Sequence, residues 1–223
     1  MTQQSAETST FQRMPDGSAR RVKNRRHGHS RKIAVTEPSA AVTGPPAPQD
    51  HVPAPAGGLP VRAQMSPATL WVVGCHGGAG ESSVAGLLEG WQETGRSWPA
   101  LPSGESAPCV LVARTNVHGL RAAQDALTQW AASGAGPSVT LLGLVLIADA
   151  PGKLPAPLRD LAKVVGGGAP RVWDIPWIEE WRLGDPVATS APRSTKKLAA
   201  LLGSLAAATP VTAGNTTTKE MDE

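Results

Sequence analysis

Apolar positions are distributed unevenly along this chain of 223 residues. The first 65 contain almost no run of large apolar side chains, and Pro, Ala, Gly, Ser and charged residues dominate there. Such a segment buries too little apolar surface to offset the entropy of ordering, so residues 1–65 are expected to be disordered. From residue 69 the pattern changes. LWVVG at 70–74 is a short apolar, β-branched run that predicts a buried strand. A glycine-rich turn follows at 75–83, and VAGLLEGWQ at 84–92 reads as a helix with Ser82 or Ser83 near its start. Residues 93–107 read as a loop.

CVLVAR at 109–114 predicts a second buried strand. Within 119–132, Leu120, Ala123, Leu127 and Trp130 recur at helical spacing. Residues 139–149 are the most apolar run and predict a central strand. Residues 155–168 read as a helix with Pro in the first turn and Gly at the end. A fourth strand at 171–176, a short helix at 177–184 and a closing helix at 194–208 with Ser194 as N-cap complete the series. Alternating strands and helices predict a doubly wound α/β domain over 66–208, with a mainly parallel sheet. Residues 209–223 are polar and are expected to form a second disordered tail.

Charge separates the same regions. Residues 1–65 carry nine Lys/Arg and four Asp/Glu, a net of +5 against +3 for the whole chain, so the remainder is −2. Eight of those cations fall between Arg13 and Lys32, and Arg20, Arg21, Lys23, Arg25, Arg26, Arg31 and Lys32 are candidates for sequence-independent contact with nucleic-acid phosphates. A solvated charged tail explains the cluster equally well. Residues 36–62 read as an extended Pro/Ala/Gly linker. Two cysteines are too few for a disulfide framework, no 18-residue apolar run predicts a membrane span, and the basic N-terminus lacks the apolar stretch of a secretory signal. A cytoplasmic protein is expected.

The candidate chemistry lies in the turn, His76-Gly77-Gly78-Ala79-Gly80-Glu81-Ser82-Ser83. A phosphate loop needs glycines that turn backbone N–H groups inward, a helix start behind them, a Lys for the terminal phosphates and a Ser/Thr for magnesium. Three glycines are present, Ser82 stands at the magnesium position, and a strand precedes while a helix follows. The stretch resembles the deviant Walker A loop of the ParA/MinD partition and septum-site ATPases, Lys-Gly-Gly-x-Gly-Lys-Ser/Thr. Segments 111–127, 141–149 and 174–187 resemble that family's later strands and its Ile-Pro…Gly-x-Pro segment, so the likeness runs over roughly 70–205. It implies a reduced P-loop NTPase-like domain, with ATP and magnesium as conceivable cofactors at 76–83. The segments CHGGAGES, ARTNVHGLRAA and Pro176-Trp177…Trp181-x-Leu183-Gly184 also resemble a family of high-GC bacteria that accompanies conjugative and mobile-element genes.

Two departures shape the functional expectation. His76 replaces the signature lysine, and Glu81 replaces the phosphate lysine. A charge about 4 Å from a phosphate is worth roughly 4 kcal/mol at intermediate dielectric, and a Lys-to-Glu exchange reverses its sign. The interval before Cys109 also reads as too short for the family's magnesium-aspartate strands, and Asp149 is assigned to the base-binding strand. The leading expectation is therefore a degenerate, weakly or non-hydrolysing accessory protein of a mobile element that acts by binding partners. An active partition-type ATPase is the alternative. A third reading is an interaction module built on Trp173, Trp177 and Trp181, although Pro176 opposes a continuous stripe and core packing explains them as well. His76 is readable as a pH-sensitive cation or a plain loop residue, Cys75 as a reactive thiol or a buried one, and Arg114 with Thr115 as anion contacts or loop polarity.

Overall fold

The computed structural model describes residues 37–101 and 105–209, so the basic tail from Arg20 to Lys32 and residues 210–223 lie outside the described part. The elements run β1 (Val61–Ala63), β2 (Leu70–Gly74), α1 (Glu81–Ala85), β3 (Trp91–Glu93), β4 (Trp98–Ala100), β5 (Ala107–Arg114), α2 (Val117–Ala131), β6 (Val139–Ile147), α3 (Ala156–Gly166), β7 (Val172–Ile175), α4 (Glu179–Leu183), α5 (Val187–Ser190) and α6 (Arg193–Ala207). Five strands form one sheet in the order β3-β2-β5-β6-β7, with every neighbouring pair parallel. The doubly wound α/β expectation holds.

Side chains alternate between the two faces. Trp71, Val73, Cys109, Leu111 and Ala113 meet α2 and α3 through Leu120, Ala123, Leu127, Trp130 and Val165. Leu70, Val72, Val110 and Val112 meet α1 and α6 through Val84, Leu198 and Leu202. The register shifts between Cys109 and Val110, opposite Leu141 and Gly143, so Leu141 and Leu144, three residues apart, face the same layer. A Cβ at Gly143 would stand 2.4 Å from Arg171 O and 2.7 Å from the Trp173 ring, so only glycine fits beside β7.

Four expectations need correction. The helix over 84–92 does not form: α1 stops at Ala85 with Gly86 as its cap, and Gly90, at φ 82°, turns the chain into β3. Two glycines in nine residues cut the helix, and Trp91 is instead buried on the sheet at Leu70. The interval 93–107 contains β4, paired parallel with β1. Ser194 is not the cap of the closing helix: α6 starts at Arg193 behind Pro192 and has no side-chain cap, whereas β6 is the interior strand expected. Residues 37–65 are laid along the domain. Thr43 and Gly44 N–H donate to Pro170 O, Trp173 Nε1 donates to Ser39 O, and Gln49 N–H donates to Ala131 O. The segment buries little apolar surface of its own, which is why composition concealed its order; its polar backbone is satisfied by the domain instead.

Candidate functional site at the carboxyl edge of the sheet

Counted along the sheet by chain position, the strands run 2-1-3-4-5, so the winding reverses between β2 and β5. α1 leaves β2 towards one face and α2 leaves β5 towards the other. Ligands of doubly wound sheets occupy the crevice at such a reversal, beyond the carboxyl ends of the strands. The glycine-rich turn 75–80 and the end of β5 meet there.

His76 is buried, at 7% exposure, and joins the two loops. Its Nε2 accepts the backbone N–H of Arg114 at 3.1 Å, so Nδ1 carries the proton and donates to Gly77 O at 2.9 Å. Burial first, then the charge of His118 and of Arg114, hold its pKa below the ordinary histidine value. A neutral ring stapling two backbones is the outcome, not a cation at a phosphate. His118 meets it edge-on at 5.4 Å between centroids. A Cβ at Gly119 would lie 2.3 Å from Arg114 O and 2.8 Å from His76 Nε2, so the first turn of α2 packs here only as glycine.

Arg114 spans the crevice. Its Nε donates to Gly78 O at 3.3 Å and its Nη1 to Ala148 O at 3.0 Å. Gly78 therefore aims its carbonyl oxygen at a donor on the sheet edge, while Gly77 O is taken by the neighbouring His76 ring. In a trans peptide the N–H of the following residue points the opposite way. Ala79 N–H is used within the turn, on His76 O at 3.2 Å. Gly80, at φ 96°, sits close enough to the sheet that a Cβ would be 2.7 Å from Ile147 Cδ1. The turn has the sequence of a phosphate cradle, but its carbonyls are knitted inward.

Glu81, at the phosphate-lysine position, faces away from the crevice. Its Oε1 accepts Gly95 N–H at 3.0 Å, and its carboxylate fills the space where a Cβ on Gly74 would go. Burial raises its pKa, only partly offset by bonds from the N–H groups of Gly95, Arg96 and Gly74. Ser82 is exposed and Ser83 half-buried. Among the described residues no cluster of three or more His, Cys, Asp or Glu is placed to hold a metal ion. Cys75 is buried, and desolvation pushes its thiol well up, so the reactive-thiol reading fails.

Asp149 lies beyond the end of β6, exposed, with its N–H on Thr115 Oγ1 at 3.2 Å. Thr115 is buried and pairs with Ile147 O, so it serves the sheet edge. Trp173 is a core residue at 3% exposure, which removes it from any surface stripe with Trp177 and Trp181. Arg182, which the sequence did not single out, stacks over Trp177 with its guanidinium carbon 4.8 Å from the ring centroid. A cation one turn into a helix after a strand was the available signal. At the opposite end, a groove of about 680 Å³ is lined by Trp71, Leu88, Trp91 and Leu101 with Glu89 and Glu105, and no cation among the described residues lines it. No helix among the described residues is long and apolar enough to cross a membrane.

Residues 68–199 match the model described as Family of unknown function (DUF6668). No curated protein and no solved structure matches the chain.

Proposed function

We propose the following reading for a chain that belongs to the Family of unknown function (DUF6668): it is a reduced ParA/MinD-like P-loop domain that does not hydrolyse nucleotide and works as an accessory, partner-binding protein. The orientation of the glycine-rich turn carries this reading. A hydrolysing loop converges N–H groups on a phosphate, whereas here Gly77 O and Gly78 O are committed to His76 and Arg114. Glu81 adds to it, because its carboxylate serves Gly95 N–H where a lysine would neutralise the terminal phosphate. In this reading the basic N-terminal segment adds affinity for nucleic acid, and that affinity falls steeply with salt.

The test is phosphate release from ATP with magnesium by the full chain, beside calorimetry of ATP and ADP. The wild type is expected to release none above background. Glu81→Lys alone does not create a working loop, because Gly77 O and Gly78 O stay committed to His76 and Arg114. Magnesium-dependent turnover that Asp149→Ala abolishes would sink the reading in favour of an active partition-type ATPase.

A further inference from the structure

The loop between β3 and β4, residues 94–97, is pinned at its ends and bare in its middle. Thr94 N–H donates to Val72 O at 3.1 Å, Ser97 Oγ donates to Thr94 O at 2.7 Å, and both side chains are buried. Gly95 and Arg96 between them are exposed, and both stand in the left-handed region, at φ 64° and 59°. That conformation is costly for an arginine, so a contact outside the loop has to hold it. The contact is Glu81 at the start of α1. Its Oε1 accepts Gly95 N–H at 3.0 Å, and its Oε2 occupies the place over Gly74 that a Cβ would take. Burial and the charge of Glu93 oppose a carboxylate here, and bonds from the N–H groups of Gly95, Arg96 and Gly74 offset them in part. Among the described residues no cation forms an ion pair with Glu81, so backbone alone receives it.

Successive backbone N–H groups of a turn that converge on one point make an anion site. A side chain at position 74 would fill this one, and Gly74 leaves it open. We infer that the N–H groups of Gly74, Gly95 and Arg96 form a site for a single carboxylate group, that Glu81 is its tethered occupant, and that this occupant holds residues 94–97 against the end of β2. In loops that close on a bound anion, order comes and goes with the ligand. Here the anion is part of the chain, and tethering gives it an effective concentration that no free carboxylate matches. The loop is therefore closed without any ligand. The inference goes beyond the non-hydrolysing reading: it gives Glu81 the part of a ligand, on the side of β2 away from the crevice.

The experiment is tryptic digestion of the full chain, with the cut after the exposed Arg96 followed by mass spectrometry. It compares wild type, Glu81→Ala, Glu81→Gln and, as a distant control, Glu180→Ala, in sodium formate and in sodium chloride at equal ionic strength. Glu81→Ala is expected to be cut at Arg96 roughly tenfold faster than the wild type, the weight of one charge-assisted hydrogen bond. Formate, a free carboxylate, should slow that cut saturably where chloride does not, and wild type and Glu180→Ala should respond to neither. Glu81→Gln keeps the shape without the charge and should be cut at an intermediate rate. Equal cutting of Glu81→Ala and wild type overturns the inference, as does a formate effect no larger than that of chloride or equally strong in the wild type. Acceleration spread evenly over the tryptic sites of residues 60–209 means lost stability rather than a released loop, and overturns it too. Where Glu81→Ala does not fold, Glu81→Gln decides: cutting at the wild-type rate shows that a neutral acceptor suffices and removes the carboxylate site.

Discussion

The two ends of the sheet handle polar groups in opposite ways. At the amino end, Gln129 uses its whole amide. Oε1 accepts Leu59 N–H at 2.7 Å and Trp98 Nε1–H at 2.9 Å, while Nε2 donates to Leu59 O at 2.8 Å and Gly134 O at 3.1 Å. One side chain thereby fastens the 37–60 segment, β4 and the end of α2. At the carboxyl end, Arg114 is also half-buried, but among the described residues it donates to two carbonyls alone, Gly78 O and Ala148 O. A saturated amide whose partners are buried holds a fold together; a cation with donors to spare contributes less when it is removed.

Substitutions sharpen that contrast. The largest effect is expected from Gln129→Ala, which strands the buried Trp98 N–H and both polar groups of Leu59. It should cost about 2–4 kcal/mol in urea unfolding. A loss under 1 kcal/mol would show that the amide is not the fastening. Gly119→Ala forces a methyl against Arg114 O and should cost about 1–3 kcal/mol. It should also shift the His76 ring resonances in NMR. Arg114→Gln, by contrast, removes a cation that makes no ion pair among the described residues, and is expected to change stability by less than about 1 kcal/mol. A cost matching that of Gln129→Ala would mean that both ends are structural.

A pH series tests His76 alone. Its folded pKa lies below the ordinary value of 6.5. The unfolded chain therefore binds the extra proton first. Stability is full above that value and is lost as pH falls from about 6.5 towards the depressed folded pKa. His76→Gln keeps an acceptor for Arg114 N–H and should flatten the slope of the urea midpoint against pH in this window. An unchanged slope would remove the neutral-staple account. The smallest effect is expected at the exposed Lys197–Glu37 pair, where Lys197→Ala should cost about 0–1 kcal/mol and less in high salt.

Much of the fold could be read from the chain. LWVVG, CVLVAR and the apolar run from Val139 are strands, and Leu120, Ala123, Leu127 and Trp130 do form one buried helix face. β1, β3 and β4 are three-residue strands whose pairing depends on distant partners, so no local period announces them. The strap over 37–60 was hidden for a related reason: its bonds are made by Arg171, Trp173 and Gln129, all far along the sequence. The glycine-rich turn was found at the correct place between strand and helix, but its residue types say nothing about which way each peptide plane faces.

The sequence by itself determined the alternation of strand and helix, the position of the turn and the loss of both lysines, because hydrophobic period and residue identity are local properties. Only the tertiary structure decided that Gly78 turns its carbonyl to Arg114, that His76 joins the turn to the end of β5, and that Glu81 is spent on Gly95. Those outcomes depend on which strand lies beside which, and strand order follows from packing two helical layers on one sheet rather than from any single stretch of chain.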